Sequence, residues 1–117
     1  MDSLVTDQPN PTKNDKPAVW DLVLSDLKNP LYATGFAQNV IDLVASDMKE
    51  RDKIGIERYN TRLQPFNGRN ALVDAYQESL DCSVYLRQAI EEGKSNLGYI
   101  YSSQIRICLH LRGALDE

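Results

Sequence analysis

Residues 58–90 read RYNTRLQPFNGRNALVDAYQESLDCSVYLRQAI, and this stretch decides the fold class of the chain. Asn67-Gly68 is a strong turn signal, and Asn70 is a favourable N-cap for the apolar run that follows. The run repeats with the helical period and predicts a helix from Ala71 to about Glu92, which Gly93 stops. The stretch therefore contains the end of one helix, a turn-rich loop and a second helix.

The helical period continues on both sides of this stretch. No segment alternates with the two-residue period of a strand, so we expect an all-α protein, a helical bundle of about four main helices. The other three helices are predicted from Ala18 to about Lys28, from Gly35 or Phe36 to about Tyr59, and from Ser95 or Asn96 to about Leu111. A short helical piece is expected to start at Pro30.

Residues 1–17 differ from the rest of the chain. They read MDSLVTDQPNPTKNDKP and hold three of the five prolines but few apolar residues. This composition is typical of a segment without a packed core. We therefore predict a flexible tail over residues 1–17 and a single helical domain over residues 18–117.

Composition narrows the possible partners. The net charge is −4 and the basic residues are spread along the chain, which argues against binding long nucleic acid. No apolar run approaches the roughly 20 residues of a membrane span, and no signal-peptide core follows Met1, so a cytoplasmic protein is expected. Cys82 and Cys108 form no zinc motif with His110 and are expected to be reduced core thiols.

The helix predicted from Ala71 carries a line of acids. Asp74, Glu78 and Asp81 lie within about 40° of one line along it, with Tyr85 continuing the spacing. Apolar residues border the line on both sides. Carboxylates in such surroundings require basic side chains or a divalent cation.

The preceding helix offers a matching pair of acids. Asp47 and Glu50 are three residues apart, as are Glu78 and Asp81. Two antiparallel helices carrying these pairs would place four carboxylates around one cleft, a ligand set suited to Mg²⁺ or Mn²⁺. The alternative is that the acids form salt bridges with nearby bases, of which the candidates are Lys49, Arg51, Lys53 and Arg58.

A group of cations lies around the loop that follows. Arginine binds phosphate with two parallel hydrogen bonds, so cations beside an acidic metal cleft suggest a nucleotide-phosphate site. The predicted phosphate contacts are Lys53, Arg58, Arg62 and Arg69, and the base would stack on Tyr59, Tyr76 or Phe66. The alternative is that these are ordinary surface arginines, because no P-loop pattern is present.

Residues 50–92, ERDKIGIERYNTRLQPFNGRNALVDAYQESLDCSVYLRQAIEE, resemble a segment common in small bacteriophage and prophage proteins, mostly of unassigned function. More distantly, the layout resembles the MazG-like all-α nucleoside triphosphate pyrophosphatases. That family holds Mg²⁺ with Glu-x-x-Glu on one helix and Glu-Glu-x-x-Asp on a second. Asp47-Met-Lys-Glu50 matches the first motif and Gln77-Glu78-Ser-Leu-Asp81 the second, with Asp47 and Gln77 each standing where the family has glutamate.

The MazG-like resemblance implies a Mg²⁺-dependent nucleotide pyrophosphohydrolase, in which metal-bound water attacks the linkage between the α and β phosphates. No single residue can be named as catalytic. A second hypothesis is a phage protein that binds a nucleotide, such as a host defence signal, without chemistry. A third is a structural or protein-binding helical module, in which the acids and arginines pair only with each other.

The last predicted helix is apolar over an unusually wide arc. One stripe on it consists of Leu97, Tyr101, Gln104, Cys108, Leu111 and Leu115. Ile100 and Ile107 widen this stripe beyond what one neighbouring helix covers. We therefore expect a homo-oligomer, a dimer or tetramer, that forms through the helix at 97–111.

Overall fold

A computed structural model describes residues 3–117 of the chain. Over this range the chain forms five α-helices and no strand, which confirms the predicted all-α class. The helices are α1 (Val19–Leu27), α2 (Pro30–Ala33), α3 (Gln38–Tyr59), α4 (Ala71–Glu91) and α5 (Gly98–Leu115), with a 3₁₀ turn at Ser95–Leu97 before α5. Each of the four longer helices overlaps a predicted one, although α3 begins later than predicted and α5 continues past Leu111 to Leu115.

Local chemistry explains the helix ends. The Asn70 side chain accepts hydrogen bonds from the amides of Leu72 and Val73, which caps the start of α4 as predicted. Gly93 follows α4 with a φ of 109°, a conformation that side chains disfavour. The start of α3 lies a few residues later than predicted, because Gly35 has a φ of 93° and Ala37 remains extended before Gln38.

Contacts along the chain group into two compact units. The α1–α3 unit comprises residues 9–69, and the α4–α5 unit comprises residues 70–117 together with the segment that ends at Gln8. The predicted domain boundary at residue 17 therefore falls inside the α1–α3 unit, and the observed division lies between Arg69 and Asn70.

In the α1–α3 unit, the predicted flexible tail lies along the loop between α3 and α4. The amide of Thr12 donates to the carbonyl of Asn67 at 2.8 Å. The side chain of Gln64 accepts from the Asn14 amide at 3.0 Å and donates to the carbonyls of Asn14 and Lys16, both at 2.8 Å. This part of the predicted tail is thus hydrogen-bonded to the loop, whereas the first two residues of the tail lie outside the described part of the chain.

In the α4–α5 unit, the two helices pack as an antiparallel hairpin. The stripe predicted on the last helix is its more buried face, and Ser79 and Ser83 of α4 are buried against it. The Gln104 side chain donates to the Ser79 carbonyl at 3.1 Å and to its hydroxyl at 2.6 Å. Cys108 Sγ lies 3.3 Å from the Ser79 hydroxyl and 3.1 Å from the Ser83 hydroxyl, so a small polar layer joins the helices.

Apolar burial is sparse throughout the described residues. Only Ala18 and Val73 are buried apolar side chains between residues 3 and 117. Cys108 is half-buried, but Cys82 is exposed, so the expectation of a core thiol is wrong for Cys82. Its position explains this, because Cys82 lies about 100° around α4 from Ser83, which faces α5. Large apolar side chains therefore remain on the surface of both units.

Candidate functional surfaces

The four predicted metal ligands are divided between the two units. Asp47 and Glu50 are exposed on α3, and Glu78 and Asp81 are exposed on α4. The Glu50 carboxylate lies 3.4 Å from Lys53 Nζ, which is the salt bridge that the alternative interpretation foresaw. Each unit by itself supplies one pair of carboxylates, and residues 3–117 contain no group of three or more His, Cys, Asp or Glu side chains placed to hold a metal ion. The Mg²⁺ or Mn²⁺ site stays a prediction.

The orientation of α4 accounts for the exposure of its acids. Ser79 and Ser83 face α5, whereas Glu78 and Asp81 lie more than about 100° around the helix from Ser83. The predicted line of acids is real, but the small polar side chains of α4, and not the acids, meet the neighbouring helix. The i, i+4 spacing of the two serines was the available signal, since small side chains allow helices to approach closely.

Arg62, one of the predicted phosphate contacts, is bonded to two carboxylates. Its Nη1 and Nη2 donate to the two oxygens of Asp21 at 2.9 and 2.6 Å, a bidentate pair. Its Nε donates to Asp52 Oδ2 at 3.0 Å, and Nη2 lies 2.8 Å from the same oxygen. All three guanidinium nitrogens are therefore bonded, and they join the loop after α3 to α1 and to α3.

The electrostatics of this cluster fit a structural role. The hydrogen bond from Arg62 lowers the pKa of Asp21, and the hydrogen bonds to Asp21 and Asp52 raise the pKa of Arg62 above its usual range. The Asp52 side chain is only 14% exposed. A nucleotide phosphate would have to displace both carboxylates to reach Arg62. Sequence reasoning missed Asp21 and Asp52 because ion pairs between distant residues have no periodic signature.

The remaining predicted nucleotide contacts also lie in the α1–α3 unit. Arg58 lies over the ring of Tyr59, with 5.2 Å from the guanidinium carbon to the ring centroid, a cation–π contact. Arg69 Nη1 donates to the Pro9 carbonyl at 2.6 Å. Together with the Lys53–Glu50 pair, these contacts give every predicted phosphate-binding cation a partner within its own unit. The predicted phosphate-binding roles of these cations remain untested.

The thiol of Cys108 is the titratable group inside the hairpin. Burial raises its pKa, but hydrogen bonds with Ser79, Ser83 and Gln104 outweigh burial and leave the pKa below its usual value. The hydroxyl of Ser83 also donates to the Ser79 carbonyl at 3.0 Å. The polar groups of this layer are therefore bonded to one another, which favours a structural role in helix pairing.

One side of the hairpin carries two apolar lines, which we call the heptad face. On α4 it consists of Ala75, Cys82 and Ala89, and on α5 of Ile100, Ile107 and Ala114. Members of each line are seven residues apart, so each line keeps to one side of its helix. Ile100 is 51% exposed and Ile107 is 45% exposed, so residues 3–117 do not cover this face fully.

Helix geometry places both lines on the same side of the hairpin. A shallow cavity of about 460 Å³, lined in part by Val84, Tyr101 and Ile105, marks the opposite side. On each helix the heptad line lies roughly a quarter-turn from the contact stripe, in the direction away from this cavity. The hairpin thus has a cavity side and a heptad face.

Charged residues flank the heptad face in a complementary way. Glu78 and Asp81 lie on the α4 edge, and Arg106 and His110 lie on the α5 edge. Because Ser79 lies opposite Cys108, Glu78 and Asp81 stand at about the same level along the hairpin as His110 and Arg106. The hairpin therefore has one acidic and one basic edge at matching heights.

No known protein family, curated protein or solved structure matches this chain. The resemblance to phage proteins and to MazG-like pyrophosphatases therefore rests on its residues alone and stays a prediction. Between residues 3 and 117, no helix has both the length and the apolar character that crossing a membrane requires.

Proposed function

We propose that this chain is a protein-binding helical module that pairs with a second copy of itself through the heptad face. The exposure of Ile100 and Ile107 carries the proposal. Apolar residues that keep to one side of both helices of a hairpin form a surface that side-by-side packing in a four-helix bundle buries. Two hairpins that pack face to face would cover both lines.

Charge complementarity supports a second copy as the partner. A two-fold axis parallel to the hairpin places α4 of one subunit beside α5 of the other. The acidic edge at Glu78 and Asp81 then approaches the partner subunit's His110 and Arg106. The opposite charges of Asp81 and the partner subunit's Arg106, at matching heights, favour this arrangement over one in which like edges meet. The face is self-complementary, as a two-fold interface requires.

The two nucleotide hypotheses have less support from the geometry. The predicted metal ligands are divided between the units, two in each, and Arg62 is bonded to Asp21 and Asp52. The third hypothesis, a structural or protein-binding module, requires no metal site or catalytic site. It requires only a surface at which another protein chain can bind. It also gives the acids of α4 a role, as one edge of the interface.

Light scattering during size-exclusion chromatography tests the proposal. At micromolar concentration the wild-type chain should have twice the 13.2 kDa mass of one copy. Ile107→Asp should give a monomer, because the interface would bury an unpaired carboxylate. Leu109→Asp is the matched control, since Leu109 is 68% exposed on the same helix but away from the heptad face.

Two results would overturn self-association through this face. One is a wild-type mass of a single copy at every concentration tested. The other is an equal loss of mass in the Ile107 and Leu109 variants.

A charge swap then tests the edges alone. Arg106→Glu should weaken the dimer, and adding Asp81→Arg to that variant should restore it if the edges meet as described.

A further inference from the structure

A second candidate surface belongs to the α1–α3 unit. A cleft of about 650 Å³ opens between α1, α2 and the first turns of α3. Its lining includes Leu24, Leu27, Ile41 and Ala45, which we call the apolar floor, and the segment after α2 also lines it. Small-molecule sites in proteins are typically clefts of about 300–1,000 Å³ with mostly apolar walls, so this cleft has the size of such a site.

The polar groups of the cleft carry a net positive charge. Lys28 and Lys49 both line it, and neither forms an ion pair with any residue between 3 and 117. The one carboxylate in the lining, that of Asp42, accepts a hydrogen bond from the Gln38 side chain at 2.9 Å. Two lysines without ion pairs against one hydrogen-bonded carboxylate favour an anionic group at the edge of an apolar space.

We infer that this cleft binds a small amphipathic anion, namely an aliphatic monocarboxylate. The apolar tail lies on the floor between α1 and α3, and the carboxylate lies at Lys28 or Lys49. The free energy gained by moving the tail out of water grows with the length of the tail. The carboxylate adds a charge-assisted hydrogen bond with a lysine. An anion without an apolar tail would leave the apolar floor exposed to water. A neutral ligand would leave Lys28 and Lys49 without an ion pair.

Tail length and head charge can be varied separately. Isothermal titration calorimetry with octanoate, decanoate and decanol serves this purpose. Decanoate should bind about 15-fold more tightly than octanoate, because two further methylenes enter the cleft. Decanol should bind more weakly than decanoate, because it offers no charge to the lysines.

Variants distinguish binding in the cleft from non-specific binding elsewhere on the protein. Lys28→Gln and Lys49→Gln identify the lysine that holds the head, and at least one should weaken decanoate binding while decanol binding stays unchanged. Lys53→Gln is the matched control, because Lys53 is an exposed lysine of α3 that pairs with Glu50 and does not line the cleft. Ala45→Phe should fill the floor and abolish binding of both ligands, with circular dichroism showing that the helices remain.

Three outcomes would overturn the inference. The first is wild-type protein that binds neither decanoate nor decanol. The second is equal affinity for octanoate and decanoate, which would show that the tail is not buried. The third is an equal effect of the three lysine variants, which would show that the anion responds only to the overall charge of the α1–α3 unit.

Discussion

Each of the two units of this protein is stabilised internally by a different kind of contact. In the α1–α3 unit, polar partners come from distant parts of the chain, as in the pairing of Arg62 with Asp21 and of Gln64 with Asn14. In the α4–α5 unit, two helices of regular period pack along their length, and few polar groups lie between them. Stability should therefore depend on a few residues in the first unit and be spread over many in the second.

The largest effect is expected from Arg62→Met. The substitution leaves the largely buried carboxylate of Asp52 without its charged hydrogen bonds, and the free energy of unfolding should fall by about 1–2 kcal/mol. Urea unfolding followed by circular dichroism measures the change. Arg51→Met is the control, because Arg51 is exposed on α3 and makes no ion pair within residues 3–117. Equal destabilisation by both variants would contradict the role assigned to Arg62.

A dependence on pH should follow from the same cluster. The pKa of Asp21 is lowered in the folded chain, so its pairing stabilises the protein above the pKa of the unfolded side chain, which is about 4. That stabilisation is lost as the pH falls below about 4 and through the folded pKa. The urea concentration at the unfolding midpoint should fall less steeply with decreasing pH for Asp21→Asn than for the wild type. Asp26→Asn, a change on the same helix, should keep the wild-type slope, and a slope unaffected by Asp21→Asn would refute the assignment.

These contrasts also show what the sequence could predict. Asn70, Gly93 and the helical period fixed the position of α4 within a residue or two, because capping and periodicity act locally. The buried stripe of α5 was likewise predictable. The bonds that join residues 12–16 to the loop were not, because hydrogen bonds between side chains and a distant main chain depend on the folded path of both segments.

The candidate sites were predictable only in part. The line of acids on α4 can be read from the sequence. The side of α4 that faces α5 cannot, because polarity alone would place Ser79 and Ser83 on the solvent side. Arg62 was recognised as a cation with bidentate geometry, and the structure adds the carboxylate of Asp21 as its bidentate partner. Residue type indicated the kind of bond correctly, and only the structure identified the partner.

A smaller effect is expected in the polar layer of the hairpin. Gln104→Leu removes two hydrogen bonds to Ser79 but supplies an apolar side chain of similar size against α4. The free energy of unfolding should change by less than about 1 kcal/mol, because the Ser79 hydroxyl keeps its contact with Cys108 and the Ser79 carbonyl keeps the hydrogen bond from Ser83. A loss as large as that of Arg62→Met, in the same urea experiment, would show that the α4–α5 unit also depends on single polar contacts.

The smallest effect is expected from Mg²⁺. Each unit offers one pair of exposed carboxylates, Asp47 with Glu50 and Glu78 with Asp81, and an exposed pair in water competes weakly with the hydration of the ion. Millimolar MgCl₂ should therefore raise the melting temperature no more than NaCl of equal ionic strength. A four-carboxylate site would behave differently, since a ligand at 100 times its Kd stabilises the folded state by about 2.7 kcal/mol. A Mg²⁺-specific rise that disappears in both Glu78→Gln and Asp47→Asn would establish the predicted metal site.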